Sequence, residues 1–266
     1  MLKLCNFCLI NNTCPASWLT SQIIPVPKKG DLTLVTNYRG ISLLPIASKI
    51  YNKLILNRLL PKFEPLLRKN QNGFRAGRST LSQILTLRRI IEEMTNCNQE
   101  AVFVFVDFSK AFDSIDRAKM FEILALYGIP QPIIEAIRVL YANTSSTVLT
   151  PDGETKPIDI MAGILQGDTL APFLFILVLD YVLRHSSDLN NTKGIQSRKS
   201  SRHPAIHLED ADFANDIALI GNTISDAPRE EMAWSACNDL HKIWTSKLPS
   251  KIKVKIFRVT IEPILL

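Results

Sequence analysis

Residues 101–107, "AVFVFVD", are apolar at every position up to a closing aspartate. An apolar run of this length, rich in valine and phenylalanine and without alternation, marks a strand covered on both of its faces. The fold must therefore bury a sheet beneath helices or loops. It must also bring Asp107 to the end of the buried strand, where the sheet meets solvent. With 266 residues, 46% of them apolar, the chain has material for one sizeable core shared by subdomains.

A second acidic strand end lies far along the chain. "HLEDADFANDIALIG", residues 207–221, reads as two apolar strands meeting at Asn215-Asp216, with Glu209, Asp210 and Asp212 just upstream. A compact sheet could bring Asp107 and Asp216 face to face. Two hard divalent cations about 3.5–4 Å apart, bridged by carboxylates, stabilise both the attacking and the leaving oxygens of phosphoryl transfer. The plainer alternative is that strand-end acids simply meet water, and the two acids alone leave both readings open.

Charge is uneven along the chain. Residues 1–94 carry fourteen Lys and Arg against four acids, residues 95–230 eleven against eighteen, and the remainder six against three, giving +10, −7 and +3. A basic arm beside an acidic centre suits a polyanion held around a cation site, against the alternative of an ordinary solvated surface. The cysteine count, five, is odd, and Cys97 and Cys237 stand alone, which points to a reducing, intracellular setting. Cys5, Cys8 and Cys14 lie close together, but a zinc site needs a fourth ligand and the first histidine is His185. The apolar run 170–179 is too short to span a bilayer and ends in Asp180, and the N-terminal stretch is interrupted by Asn6, Asn11 and Asn12. Neither a membrane span nor a secretory leader is expected.

The remaining pattern is α+β, with no internal repeat. Residues 46–60 place Ile46, Ile50, Leu54 and Leu59 near one face of a helix, with basic residues on the other. Thr80 and Gln83 have capping-box spacing for a helix to about residue 94. Further helices are expected over residues 117–127, ending at Gly128 and Pro130, over 132–142, and from the loop "AGILQGDTLAP" to about Arg184. "STVLTPDGETKPIDI" reads as a hairpin turning at Asp152-Gly153, and the basic segment 192–204 as an exposed loop.

The ordered set "IIPVPKKGD", "NYRGISLLPIASKIYNKLILNRL", "QNGFRAGRST", "VFVDFSKAFDSID", "GILQGDTLAPFLF" and "DADFANDIALI" closely resembles the reverse transcriptase of non-LTR (LINE-type) retrotransposons over residues 18–223. The resemblance implies an α+β right-hand polymerase with palm and fingers. Residues 1–17 would be an N-terminal extension, 18–100 a fingers-like region with the first palm elements, 101–226 the palm with its catalytic motifs, and 227–266 a truncated, thumb-like helical remnant. The implied reaction is RNA-templated addition of deoxynucleoside triphosphates to a DNA primer, a nucleotidyl transfer using two Mg2+ ions.

By the same resemblance Asp107 and Asp216 are metal ligands, and Phe112 is the aromatic beneath the incoming sugar that disfavours a 2′-hydroxyl. Asp113 supports its loop. Gln166 and Gly167 belong to the loop near the templating pair, where glycine permits close backbone approach. Arg39 and Lys28, with Lys29 beside it, face the triphosphate, and Arg75 and Arg78 hold template phosphates. The sequence departs from the family pattern at Asn215, where an aspartate is expected, and a stretch near residues 227–232 looks missing. An amide brings no charge, and a loss of about 4 kcal/mol slows the reaction roughly a thousandfold. Strand alternation turns Asp212 away from position 215, so it offers no substitute. Three readings follow: a weakened polymerase, a catalytically inactive nucleic-acid-binding remnant, and a decayed chain that folds poorly.

Overall fold

The computed structural model describes residues 1–28, 30–99, 101–108, 110–190, 195–196, 207–221 and 253–259; for Val102, Val104, Asp107, residues 186–190, Gln196 and residues 253–259 this description is of the backbone. In chain order the elements are α1 (Leu2–Asn11), β1 (Thr20–Pro27), β2 (Tyr38–Leu43), α2 (Ile46–Phe63), α3 (Thr80–Asn96), β3 (Ala101–Asp107), α4 (Arg117–Leu126) and α5 (Gln131–Tyr141). There follow β4 (Ser145–Thr150), β5 (Gly153–Glu154), β6 (Ile158–Asp159), α6 (Ala171–Asn190), β7 (Ile195–Gln196), β8 (His207–Leu208), β9 (Asp210–Phe213), β10 (Asp216–Gly221) and β11 (Lys253–Val259). No helix among the described residues is long and apolar enough to cross a membrane.

Two compact units result, Met1–Leu66 with Phe112–Val178, and Leu67–Ala111 with Leu179–Leu266. Each takes two separate stretches of chain, so the contiguous regions 18–100 and 101–226 do not coincide with them.

In the first unit β1 is flanked by antiparallel β2 and parallel β4, and β4 is extended by β5 and β6. Helix α4 starts where the Asp116 carboxylate accepts from Lys119 N at 3.0 Å, and it stops before Gly128, whose φ of +79° lets the chain turn sharply. Ile55, Leu59, Leu124, Ile137, Leu174 and Phe175 are fully buried. Each such side chain is worth about 1.5–3 kcal/mol of transfer from water.

Helix α2 corrects the expected face. Ile46, Ile50 and Leu54 are 78%, 41% and 39% exposed, whereas Tyr51, Asn52, Ile55, Leu56, Leu59 and Phe63 are buried. Of the expected stripe, Leu59 alone is inward.

The second unit holds the apolar strand. The sheet order is β11-β3-β10-β9, with every neighbouring pair antiparallel, so β10 and β11 run in the same direction on either side of β3. Helix α3 packs on β9. Met94, Phe103, Ala211, Ala218 and Ile220 form a core with Ile195, joined by Leu87 and Ile90. Burial of Ile195, within strand β7, corrects that part of the expected exposed loop; residues 197–204 lie outside the described residues. Helix α6 continues past Arg184 to Asn190. Most of the expected helical remnant, residues 222–252 and 260–266, also lies outside the described residues, and the described part of that region is strand β11.

Candidate active site

The β9–β10 hairpin closes on the pair Phe213 and Asp216, leaving Ala214 and Asn215 as its two loop residues. The turn is thus one residue earlier than the expected Asn215-Asp216. Ala214 has φ +56°, the left-handed setting that two-residue hairpins usually give to glycine. For alanine this setting costs about 1–2 kcal/mol. Asp216 is the exposed first residue of β10, and its Cα partner across the sheet is Asp107, the last residue of β3. The two acids anticipated as neighbours occupy facing register positions. Asp216 also borders a groove of about 440 Å³ lined by Thr80, Ile84, Phe105 and Phe213.

A single amide holds the strained tip. Gln71, 1% exposed, accepts at Oε1 from Ala214 N at 2.8 Å and from Gly73 N at 2.7 Å, and its Nε2 donates to Ala214 O at 3.2 Å. Gly73 makes room for this: a Cβ there would stand 2.0 Å from Ala214 N. Asn72 N donates to Asp212 O at 2.9 Å and Asp212 N to Asn70 O at 3.2 Å, so residues 70–72 pair along β9.

The expected capping box does not form. Ser79 is the N-cap of α3 with no side-chain capping bond, and Gln83 Nε2 donates instead to Asn70 O and Asp212 O, at 2.6 and 2.9 Å.

Beneath the hairpin lies a buried ionic cluster. Arg68 pairs through Nη1 with Asp210 and through Nη2 with Asp212, and its backbone N donates to Asp180 Oδ1 at 2.7 Å. Arg184 pairs with Asp180 at 2.7 Å. Asp212 is therefore committed to Arg68 and turned from the tip, as strand alternation anticipates. Burial lowers the Arg68 guanidinium's affinity for its proton, but Asp212, Asp210 and Asp180 outweigh this and hold it above its ordinary value. Burial, with Asp210 adding and Arg68 opposing, pushes the Asp212 carboxyl up to about 8. Arg68 gains from its surroundings while Asp212 loses, because desolvation of the buried Asp212 carboxylate outweighs its pairing with Arg68. Its Oδ1 has no hydrogen-bond partner among the described residues.

A group with a raised folded-state pKa contributes stability that is full below its unfolded pKa and gone above its folded one. The urea midpoint should therefore carry a downward contribution as pH rises from about 4 to about 8, and Asp212→Asn should remove that contribution.

In the first unit the Phe112 ring stacks on Phe175, with centroids 4.8 Å apart and planes at 12°. Asp113 is exposed, and its backbone lies so near Gly163 that a Cβ there would be 2.5 Å from Asp113 O. Gln166 O accepts from Ser42 N at 2.7 Å, and Gly167, at φ +125°, would bring a Cβ within 2.2 Å of Ser42 O. This loop is anchored by Asp168, which accepts from Asn52 Nδ2 at 2.6 Å, Tyr141 OH at 2.9 Å and Leu170 N at 3.1 Å. Burial raises the Asp168 carboxyl despite those donors.

Arg39 is exposed on β2, its side chain without a hydrogen bond or ion pair among the described residues, and exposed Lys28 donates to Thr36 O at 3.4 Å. Lys29 lies outside the described residues.

Arg75 makes structural contacts within its own segment. Arg75 is 8% exposed and its Nη1 donates to Arg68 O at 2.6 Å and Gln71 O at 2.9 Å. Half-buried Arg78 likewise donates to Lys69 O at 2.6 Å and Asn72 Oδ1 at 2.8 Å. Both arginines brace the segment that holds the hairpin. Arg68, Gln71, Gly73 and Gln83 escape a reading of the sequence because their partners are backbone groups or acids more than a hundred positions away.

The donor set at the strand ends comprises two carboxylate positions, Asp107 and Asp216, and the neutral amide of Asn215. Its hard oxygens suit a divalent cation. No group of three His, Cys, Asp or Glu residues suited to a metal occurs among the described residues.

The family model for the reverse transcriptase (RNA-dependent DNA polymerase) matches residues 26–245. The chain is 29% identical over 188 residues to the Pol polyprotein of type-1 retrotransposable element R2 from Popillia japonica, covering 70% of this chain and 26% of that protein. It is 32% identical over 171 residues to the RNA-directed DNA polymerase from mobile element jockey of Drosophila melanogaster, covering 60% and 18%. The chain thus spans about a quarter or less of these relatives' length. Among solved structures, apo telomerase from Candida tropicalis truncated from its C-terminal domain has a TM-score of 0.61 at 11% identity, covering 95% of this chain and 52% of that one. Telomerase from Candida albicans gives 0.61 at 9% identity, covering 98% and 46%.

Proposed function

From the premise that the chain belongs to the reverse transcriptase family, of the non-LTR retrotransposon type, and has a right-hand polymerase fold, we propose that it carries out RNA-templated addition of deoxynucleotides to a DNA primer, slowed by Asn215. The observation that carries this reading is the register of β3 and β10, which sets Asp107 opposite Asp216 where β3 ends and β10 begins. Asp107 and Asp216 would hold Mg2+, with the Asn215 amide oxygen as a weaker ligand. Bound there, the metal would stabilise charge on the attacking and leaving oxygens.

The chain's other residues bind and orient. Phe112, stacked on Phe175, offers a fixed aromatic wall against a 2′-hydroxyl. Gln166 and Gly167 give the template a backbone surface that Ser42 and Asp168 keep from shifting. Exposed Arg39 supplies a planar fork for triphosphate oxygens, with Lys28 as a second cation. Residues 101–226 would serve as the palm and residues 18–100 as fingers with the first palm elements, a shortened palm adding to the impairment.

The neutral Asn215 specifically favours a second reading, a chain that holds RNA or hybrid without useful synthesis. Primer extension on an RNA template with deoxynucleotides and magnesium tests both. Under the first reading slow, template-dependent product appears and is lost in Asp107→Ala. Salt-dependent binding of the hybrid without product, in a folded chain, leaves the second.

A further inference from the structure

We infer that Gln71 is a positioning residue, whose side-chain amide keeps the hairpin tip in the left-handed turn that aims positions 215 and 216. The inference rests on the polymerase reading for its effect on rate, but the contact itself is independent of that reading.

Left to itself, Ala214 would leave this turn. Its φ of +56° is disfavoured for any residue with a Cβ. The restraint comes from outside the hairpin. Gln71 satisfies both the N–H and the C=O of Ala214 with one amide, and the same Oε1 accepts from Gly73 N. Because the amide is 1% exposed, water does not compete for these bonds. Gln71 is itself fixed. It pairs with Asp212 along the edge of β9, and its carbonyl accepts from Arg75 at 2.9 Å. The close approach of Gly73 to Ala214 leaves the tip little room to relax toward this segment. The geometry thus links the motif "QNGF" to the hairpin through one side chain, and gives Gln71 control of where Asp216 begins its strand.

The test is a double-mutant cycle that a general packing role would not reproduce. Gln71→Met keeps the volume and removes both bonds. Ala214→Gly removes the conformational penalty, because glycine takes positive φ freely. In primer extension by a chain carrying Asn215→Asp, Gln71→Met should lower kcat about a hundredfold with KM for the deoxynucleotide little changed, as expected of misplaced reacting groups. Adding Ala214→Gly should restore most of the loss. Gln71→Glu keeps an acceptor for Ala214 N and Gly73 N, and should fall between wild type and Gln71→Met.

Two readouts do not require synthesis. Amide hydrogen exchange at residues 214–216 should quicken at least tenfold in Gln71→Met and slow again in the double variant, and Mn2+ affinity should follow the same order, whether or not the parent makes product. A parent without product overturns the polymerase reading alone. Equal exchange in all four chains, or losses that Ala214→Gly leaves untouched, overturn the positioning role. If Gln71→Met does not fold, the Gln71→Glu and Ala214→Gly pair decides in the same way.

Discussion

Asn215→Asp should raise the single-turnover rate of primer extension about a thousandfold, the equivalent of roughly 4 kcal/mol in transition-state stabilisation. The substitution changes one NH2 group for oxygen and little else. Asn215 is half-buried in a two-residue loop, where it neither pairs with another strand nor supports the core. A carboxylate at this position joins Asp216 directly in sequence and Asp107 across the sheet, concentrating negative charge where a divalent cation would sit. In the absence of metal the same crowding should slightly lower thermal stability, and magnesium should reverse that loss. A folded Asn215→Asp chain that gains no rate would mean that the defect lies elsewhere in the palm, beyond Gly221.

The largest effect on stability is expected at Arg68. Arg68→Met should cost about 3–5 kcal/mol at neutral pH, because it leaves Asp210 and Asp212 buried without their guanidinium. For a chain of this size that is a fall of roughly 10 °C in Tm. Replacing the acids as well, in Arg68→Met with Asp210→Asn and Asp212→Asn, should recover much of the loss. The charges are costly only when unmatched. The measurement is urea unfolding of the two variants beside wild type, and a single variant within about 1 kcal/mol of wild type would contradict the buried pairing.

The sequence makes some parts of this arrangement plain and hides others. The strand ending in Asp107, the hairpin bearing Asp216 and the stop of α4 at Gly128 are written locally, in apolar runs and in glycine. The inward face of α2 is not. Ile46, Ile50 and Leu54 form an apolar row as convincing as that of Tyr51, Ile55 and Leu59, and the choice between rows is made by tertiary partners. Burial of the polar Asn52, which hydrogen-bonds Asp168, belongs to the face that the apolar row does not announce. Gln83 was equally ambiguous: its spacing from Thr80 suits a cap, but the carbonyls of Asn70 and Asp212 take its amide. Arg75 and Arg78 are assigned to template phosphates by the family resemblance, and in the fold both also donate to carbonyls of their own segment. Only the folded loop reveals how many of its own carbonyls need donors.

The position of β3 also bears on how the protein is made. This strand leaves the ribosome before either of its neighbours, since Asp107 pairs with Asp216 on one side and Lys253 on the other. At about 5–20 residues per second, the second neighbour follows roughly ten to thirty seconds later. Through that interval an apolar strand waits with open edges, the condition in which chains pair with the wrong partner. Long sequence separation between paired strands also slows folding itself. The arrangement that sets two aspartates opposite each other thus leaves nascent chains of this protein open to mispairing until β11 is in hand.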